Sequence, residues 1–343
     1  MAMTHGGNLL QMAARDQSDI RDWIDLSTGV SPFTYPVSNI PESVWNQLPQ
    51  SEDGLESAAK HYYQATSDPV AVAGSQAAIM ALPSLLCNML GRCGTIALPR
   101  VGYKEHEHAW RSFHYYDQQW SIIFYDDLPS GDQIAQSDVV LVINPNNPNG
   151  NFYSRERLLS LHTELAAHNG TLIVDEAFVD MTPANSLLSQ SKSLENLIVL
   201  RSVGKFFGLA GARVGFVFAA QKTIHLLKEY IGPWGVSGPS RWVLKQALSD
   251  SQWQQSNRKR IKRASTRLEE LLKVYLPFKT VGTDLFKTVY IDNAAWFYQW
   301  LCNEHILTRL CDEKDAIRFG LPANEAQWQK LELALCKLQK KEW

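Results

Sequence analysis

The chain has 343 residues, enough for roughly two domains at about 150 residues each. Lys and Arg number 33 against 35 Asp and Glu, and the net charge of −2 is not the basic balance of a dedicated nucleic-acid binder. With 45 % hydrophobic and 20 % charged residues the chain is globular, and its five cysteines, odd in number and without a C-x-x-C pair, argue against a disulfide framework or zinc ribbon. A reducing, cytoplasmic home is therefore expected. The first eight residues lack a basic region followed by an apolar run, and no stretch approaches the ~18 apolar residues of a membrane helix, so no membrane partner is expected.

In chain order, short β-branched-rich runs bounded by Gly, Pro, Asn or Asp predict buried strands at 70–73, 95–98, 139–143, 171–174, 197–200 and 214–218. Helical patterns lie between several of them, at 76–90 and 154–169, and Pro83 predicts a kink in the first. Strand–helix alternation implies an α/β fold with a mostly parallel sheet covered on both faces. After about residue 235 the texture changes to a polar amphipathic region at 240–274. Strand-like pieces follow at 286–291, 306–310 and 316–319, then a terminal helix from Asn324, together an α+β pattern. The basic run from Arg258 to Arg263 reads as the solvated face of a long helix, with Glu269 and Glu270 nearby.

Four segments carry chemistry. Lys205 follows a buried strand in a Gly-rich loop, where desolvation makes an amine more nucleophilic toward an aldehyde. Ser202 and Arg213, on either side of it, suit a phosphate monoester. Asp175 ends a strand, where a carboxylate points into the ligand crevice of an open sheet and could keep a pyridine nitrogen protonated. Asn144-Pro145-Asn146-Asn147-Pro148-Asn149-Gly150 is a run of turn formers after another strand, and an asparagine at such a point can donate to a phenolate oxygen. Gly74-Ser75-Gln76 leads a strand into a helix whose free N–H groups suit phosphate. Each segment alone is equally a solvated lysine, a helix cap, a plain turn or a common strand–helix connection. His106 and His108, in Glu105-His106-Glu107-His108, have a spacing that suggests a metal but do not converge with other ligands, and no metal is expected.

In this order and at these separations the four segments resemble the fold-type-I pyridoxal-phosphate enzymes, the aspartate aminotransferase superfamily, over essentially the whole chain. The resemblance implies pyridoxal 5'-phosphate as cofactor, a homodimer, and a mostly parallel seven-stranded sheet in a large domain at 45–235. A smaller α+β domain would combine 1–44, with an N-terminal substrate loop, and 236–343. It further implies that Lys205 holds the cofactor as a Schiff base, Asp175 pairs with the ring nitrogen and Asn147 contacts the ring oxygen. Ser75, Gln76, Ser202 and Arg213 would hold the phosphate, and Tyr103 would stack on the ring and complete the catalytic set with Lys205 and Asp175. Arg318, in Ile317-Arg318-Phe319-Gly320, matches an arginine that clamps a substrate anion. Arg309 is a second candidate clamp, or else a surface residue on an edge strand.

Within the superfamily, His5-Gly6-Gly7-Asn8, the stretch from Asp25 to Pro32 and Arg318-Phe319-Gly320-Leu321-Pro322 resemble the L-threonine-O-3-phosphate decarboxylases of cobalamin synthesis. His5, Asn8 and Gly29 then become substrate contacts, and the substrate a small phosphorylated amino acid. Ser31 departs from that pattern, in which asparagine is usual. Phe178 stands where aminotransferases commonly carry a tyrosine. A histidinol-phosphate aminotransferase is the alternative. A cofactor-binding regulator is disfavoured because only ~70 residues precede Gly74, which leaves no room for a DNA-binding domain.

Overall fold

The computed structural model describes residues 5–189 and 195–339, so the outermost residues of the expected small domain lie outside it. Two compact units emerge: 35–147 with 151–254, and residues up to 34 with 148–150 and the chain from 255 onward.

In the larger unit seven strands form one sheet, in the order Val70–Val72, Gly215–Phe218, Leu197–Ser202, Thr171–Asp175, Val139–Ile143, Thr95–Pro99, Ser121–Tyr125. All neighbours are parallel except Gly215–Phe218, which is antiparallel to both of its own. Val139–Ile143 is buried at every position, as a central strand covered on both faces must be. Ile79, Leu82 and Leu86 of the helix Gly74–Leu90 and Trp110 of the helix Lys104–Ser112 pack with Ile96, Leu141, Ile173 and Leu200. Each such side chain contributes about 1.5–3 kcal/mol on burial.

Three local features add to what the sequence predicts. Ser121–Tyr125 is an edge strand absent from the sequence reading, and its half-exposed side chains give it no clear buried pattern. Pro83 lies inside Gly74–Leu90 without ending it; the proline is buried, and its carbonyl accepts the Trp120 indole N–H at 3.2 Å. The polar region at 240–274 is two helices, Gly238–Ser249 and Ser251–Tyr275, divided at Asp250, whose carboxylate accepts the Trp253 N–H at 2.9 Å. Gly238–Ser249 packs on Leu55–Tyr63, where Arg241 forks onto Asp53 and Glu56.

In the smaller unit four antiparallel strands run in the order Thr280–Gly282, Phe286–Tyr290, Ala316–Gly320, Arg309–Leu310. Ile306–Leu307 instead pairs in parallel with Ile24–Asp25, so the run expected at 306–310 is divided at Thr308 between two sheets. Pro148–Gly150 belongs here: the Thr288 hydroxyl donates to the Pro148 carbonyl at 2.6 Å, and Gly150, at φ +70°, leaves no room for a Cβ against Gly282. Among the described residues no helix is long and apolar enough to cross a membrane.

The parallel arrangement brings the carboxyl ends of Thr95–Pro99, Val139–Ile143, Thr171–Asp175 and Leu197–Ser202 to one edge of the larger sheet. Val70–Val72 ends at the same edge, and Gly215–Phe218 begins there. Behind it is a buried charge cluster. Arg201, 1 % exposed, donates to Glu176 at 2.7 Å and to Asp180 at 2.9 Å, with the Tyr63 ring 4.1 Å from its guanidinium carbon. Burial alone would favour the neutral guanidine; the carboxylates of Asp180 and Glu176 overcome it and hold the pKa above its ordinary value. Arg201→Met leaves two buried carboxylates uncompensated and should destabilise the protein by about 3–5 kcal/mol. Asp284→Asn, which breaks the exposed Lys262–Asp284 pair, should cost no more than about 1 kcal/mol. Denaturant unfolding of both variants checks the contrast.

Candidate active site

At that edge one cavity is lined by Ser75, Gln76, Tyr103, Asn147, Asp175, Ser202, Lys205 and Arg213, the whole set expected to contact the cofactor. Their placement follows from the turns between strands and helices. Gly74 takes φ +74° to open its helix, and a Cβ there would meet Arg213 Nη2 at 2.9 Å. Gly215, where the antiparallel strand begins, passes so close that a Cβ would come within 2.5 Å of the Ser75 backbone nitrogen. Two glycines thus clear the space in which the helix N-terminus and the exposed Arg213 guanidinium face the cavity. Strand Leu197–Ser202 runs directly into the single turn Val203–Phe206 that carries Lys205.

The turn after Val139–Ile143 is held by its own asparagines. Asn144 brackets Tyr153, accepting its N–H at 2.8 Å and donating to its carbonyl at 3.0 Å. Asn146 donates to the Val101 carbonyl at 2.8 Å. Asn147, the next residue, lines the cavity.

Asp175 is 3 % exposed. One of its oxygens accepts the Ala177 N–H at 3.0 Å, and the other lies 2.9 Å from His106 Nε2. His106, itself buried, sits on the helix Lys104–Ser112 and meets the Tyr103 ring edge-on at 6.2 Å between centroids. Gln76 ties that helix to the cavity: it donates to Glu105 at 2.5 Å and accepts the Tyr103 hydroxyl at 3.2 Å. Lys205 Nζ lies 5.7 Å from the centre of the buried Phe178 ring. The donor set fits pyridoxal phosphate: two hydroxyls, a guanidinium and helix N–H groups for the phosphate, an aromatic ring, a carboxylate for a ring nitrogen and an amine for an aldehyde.

Reading residue types along the chain missed the role of His106. His108, two residues on, is exposed beside Ser112, so the pair does not act together. The usable signal was the helical position three residues after Tyr103, which turns a side chain to the same side. Among the described residues no group of His, Cys, Asp and Glu could hold a metal.

The smaller unit carries the expected substrate contacts. Arg309 and Arg318 are directly opposed on adjacent antiparallel strands, a separation of about 4.5–5.5 Å between Cβ atoms. Arg318, 8 % exposed, donates to the Ser27 carbonyl at 2.6 Å, and Arg309 donates to Asp312 at 3.0 Å. His5, Asn8 and Arg309 line a second cavity, of about 390 Å³, with Arg15 and Lys314. Gly29, which is buried, and Arg318 do not line it. Ser31 turns its hydroxyl onto the backbone of Phe33.

Residues 36–328 match the model of the family described as aminotransferase class I and II. The chain is 42 % identical to the threonine-phosphate decarboxylase of Pseudomonas aeruginosa, over 97 % of each chain. It is 34 % identical to the threonine-phosphate decarboxylase of Sinorhizobium sp, over 98 % of each. Among solved structures, a histidinol-phosphate aminotransferase from Sinorhizobium meliloti in complex with pyridoxal-5'-phosphate aligns with a TM-score of 0.80 at 17 % identity, covering 99 % of this chain and 98 % of that one. The L-threonine-O-3-phosphate decarboxylase from Porphyromonas gingivalis aligns at 0.71 and 18 % identity, covering 92 % and 99 %. At these identities the structures establish the fold.

Gly215→Ala should displace the Ser75 N–H from the cavity. A lost hydrogen bond to a charged phosphate is worth about 1.5–3 kcal/mol, so the affinity for pyridoxal phosphate should fall roughly 10- to 100-fold. Absorbance titration of the apoprotein with the cofactor measures this.

Proposed function

We propose, since the chain belongs to the aminotransferase class I and II family, that it binds pyridoxal 5'-phosphate and decarboxylates L-threonine O-3-phosphate to (R)-1-amino-2-propanol O-2-phosphate. The observation that carries this reading is the near end-to-end match to two threonine-phosphate decarboxylases. The opposed arginines support it, because a substrate bearing both a carboxylate and a phosphate answers two neighbouring cations.

When bound, the cofactor supplies a conjugated ring that takes up the electron pair left by a departing carboxyl group. The residues of this chain do the rest. Lys205 would hold the cofactor through its aldehyde, at the amine that the cavity presents. Its Nζ is also the amine that would move a proton at the α-carbon. Asp175, held from one side by the Ala177 N–H and from the other by His106, keeps a proton on the ring nitrogen. Ser75, Gln76, Ser202 and Arg213 would hold the phosphate, Asn147 would meet the ring oxygen, and Tyr103 would lie against the ring. Arg309 and Arg318, with His5, Asn8 and Gly29, anchor the substrate's other groups. That anchoring decides whether the carboxyl bond or the α-hydrogen bond is the one that breaks. Phe178 offers no hydroxyl to the ring oxygen, a feature that fits a decarboxylase better than an aminotransferase.

The same reading makes the protein a cytoplasmic homodimer. Trp45, Leu48, Tyr230, Trp234 and Trp242 leave large apolar side chains exposed on the larger unit, a surface suited to a second copy. Five free thiols suit a reducing compartment.

Purified protein loaded with pyridoxal phosphate should release carbon dioxide from threonine phosphate with no keto acid present. Absence of release, together with 2-oxoglutarate-dependent turnover of histidinol phosphate, would replace the decarboxylase reading with an aminotransferase. A Lys205→Ala protein that still fixes the cofactor covalently on borohydride reduction would move that role to another amine. Arg309→Gln should lower kcat/KM about 10- to 100-fold, the worth of one charge-assisted contact. Arg309→Lys should recover only part of it, because the ammonium lacks the guanidinium fork.

A further inference from the structure

The larger unit holds a pair of thiols that the proposed chemistry does not use. Cys87 lies in the last turn of the helix Gly74–Leu90 and is 1 % exposed. Gly91, at φ +71°, reverses the chain so that the half-buried Cys93 returns beside it, and the two sulfurs are 3.6 Å apart. Cys93 is pinned by its backbone: its N–H donates to Gln118 at 3.2 Å, and its carbonyl accepts from Arg92 at 3.2 Å. Arg92 is in turn paired with Asp138 at 2.7 Å. The segment therefore holds Cys93 against Cys87 through contacts that involve neither sulfur. Closing the gap to a bond of about 2.05 Å asks for side-chain rotation at the two cysteines.

We propose that Cys87 and Cys93 form a reversible two-electron redox site that a hydroperoxide converts to an intramolecular disulfide. Cys93, the more accessible sulfur, reacts first. Its thiolate attacks one peroxide oxygen, the O–O bond breaks, and the other oxygen leaves as water or alcohol after taking a proton from solvent. Cys87 Sγ then attacks Cys93 Sγ, the S–O bond breaks, and the departing hydroxide takes the Cys87 proton and leaves as water. One hydroperoxide is reduced and two thiols are oxidised. Burial, reinforced by the neighbouring Cys93, pushes the Cys87 thiol up to about 11, which suits it to bring a proton to the second step rather than to react first. The loop the bond would close is short, so it constrains the unfolded chain less than a long-range bridge would. It is a bond that opens and closes with redox conditions rather than a permanent brace.

The test uses the cofactor-loaded protein, treated with hydrogen peroxide, quenched with an alkylating agent before denaturation, digested and analysed by mass spectrometry. The expected product is a Cys87–Cys93 linked peptide, two hydrogens lighter, formed before the half-exposed Cys336 is oxidised and restored by dithiothreitol. Cys87→Ser should instead leave Cys93 as a sulfenic acid that dimedone traps. The proposal is overturned if Cys93 proceeds to sulfinic acid in the unsubstituted protein while Cys87 remains alkylatable. It is equally overturned if both thiols survive a dose that oxidises Cys336.

Discussion

The site rests on what a strand does at its end. Successive side chains point to opposite faces, so a residue that faces a ligand has a neighbour facing away from it. In this chain both such neighbours at the central strands are charged: Glu176 beside Asp175, and Arg201 beside Ser202. They close on each other at 2.7 Å in a dry interior, where a guanidinium and a carboxylate are each intolerable alone. Glu176 is further fixed by the Ser186 hydroxyl at 2.6 Å and the Leu187 N–H at 2.8 Å. One buried ion pair therefore braces, beside the backbone ladder that joins them, the two strand ends that present Asp175 and Ser202.

On the ligand side the same edge works by clearance as much as by contact. Gly74 and Gly215 matter for atoms they lack, since a methyl group at either would occupy space taken by Arg213 or by the Ser75 N–H. Helix N–H groups, the Ser75 and Ser202 hydroxyls and the Arg213 guanidinium line the same cavity. Asp175 is the opposite case, a buried carboxylate with a partner at each oxygen, so its position does not depend on the ligand.

Much of this was legible in the four segments taken together and in the family pattern they resemble, for a physical reason. Lys205, Asp175, Asn147 and Ser75 occupy strand-to-helix or strand-to-turn junctions, and such junctions leave a local signature of Gly, Pro and Asn after a β-branched run. The buried strand 139–143 was equally plain, because both of its faces are apolar. What stayed hidden depends on distant partners. His106 takes its role from a carboxylate 69 residues away, and its local pattern of alternating Glu and His points toward a metal instead. The edge strand Ser121–Tyr125 exposes part of each face and shows no clean period. The division at Thr308 arises from pairing with Ile24–Asp25, nearly 300 residues upstream, which nothing near Thr308 announces. In the N-terminal stretch, Gly6 is required because a Cβ there would come within 2.5 Å of the Ser27 carbonyl oxygen, a constraint that a motif records but does not explain.

The facing arginines of the smaller sheet carry a thermodynamic consequence. Like charges directly opposed across two strands oppose folding; the Asp312 carboxylate accepts from one guanidinium and the Ser27 carbonyl from the other. An anionic substrate held by them, as proposed, would lower that repulsion. Such a ligand is then part of the fold's own energetics: by mass action it raises the unfolding free energy by RT ln(1 + [L]/Kd). The sheet would be most rigid when the cell's supply of that anion is highest, and the protein's lifetime would track the abundance of what it binds.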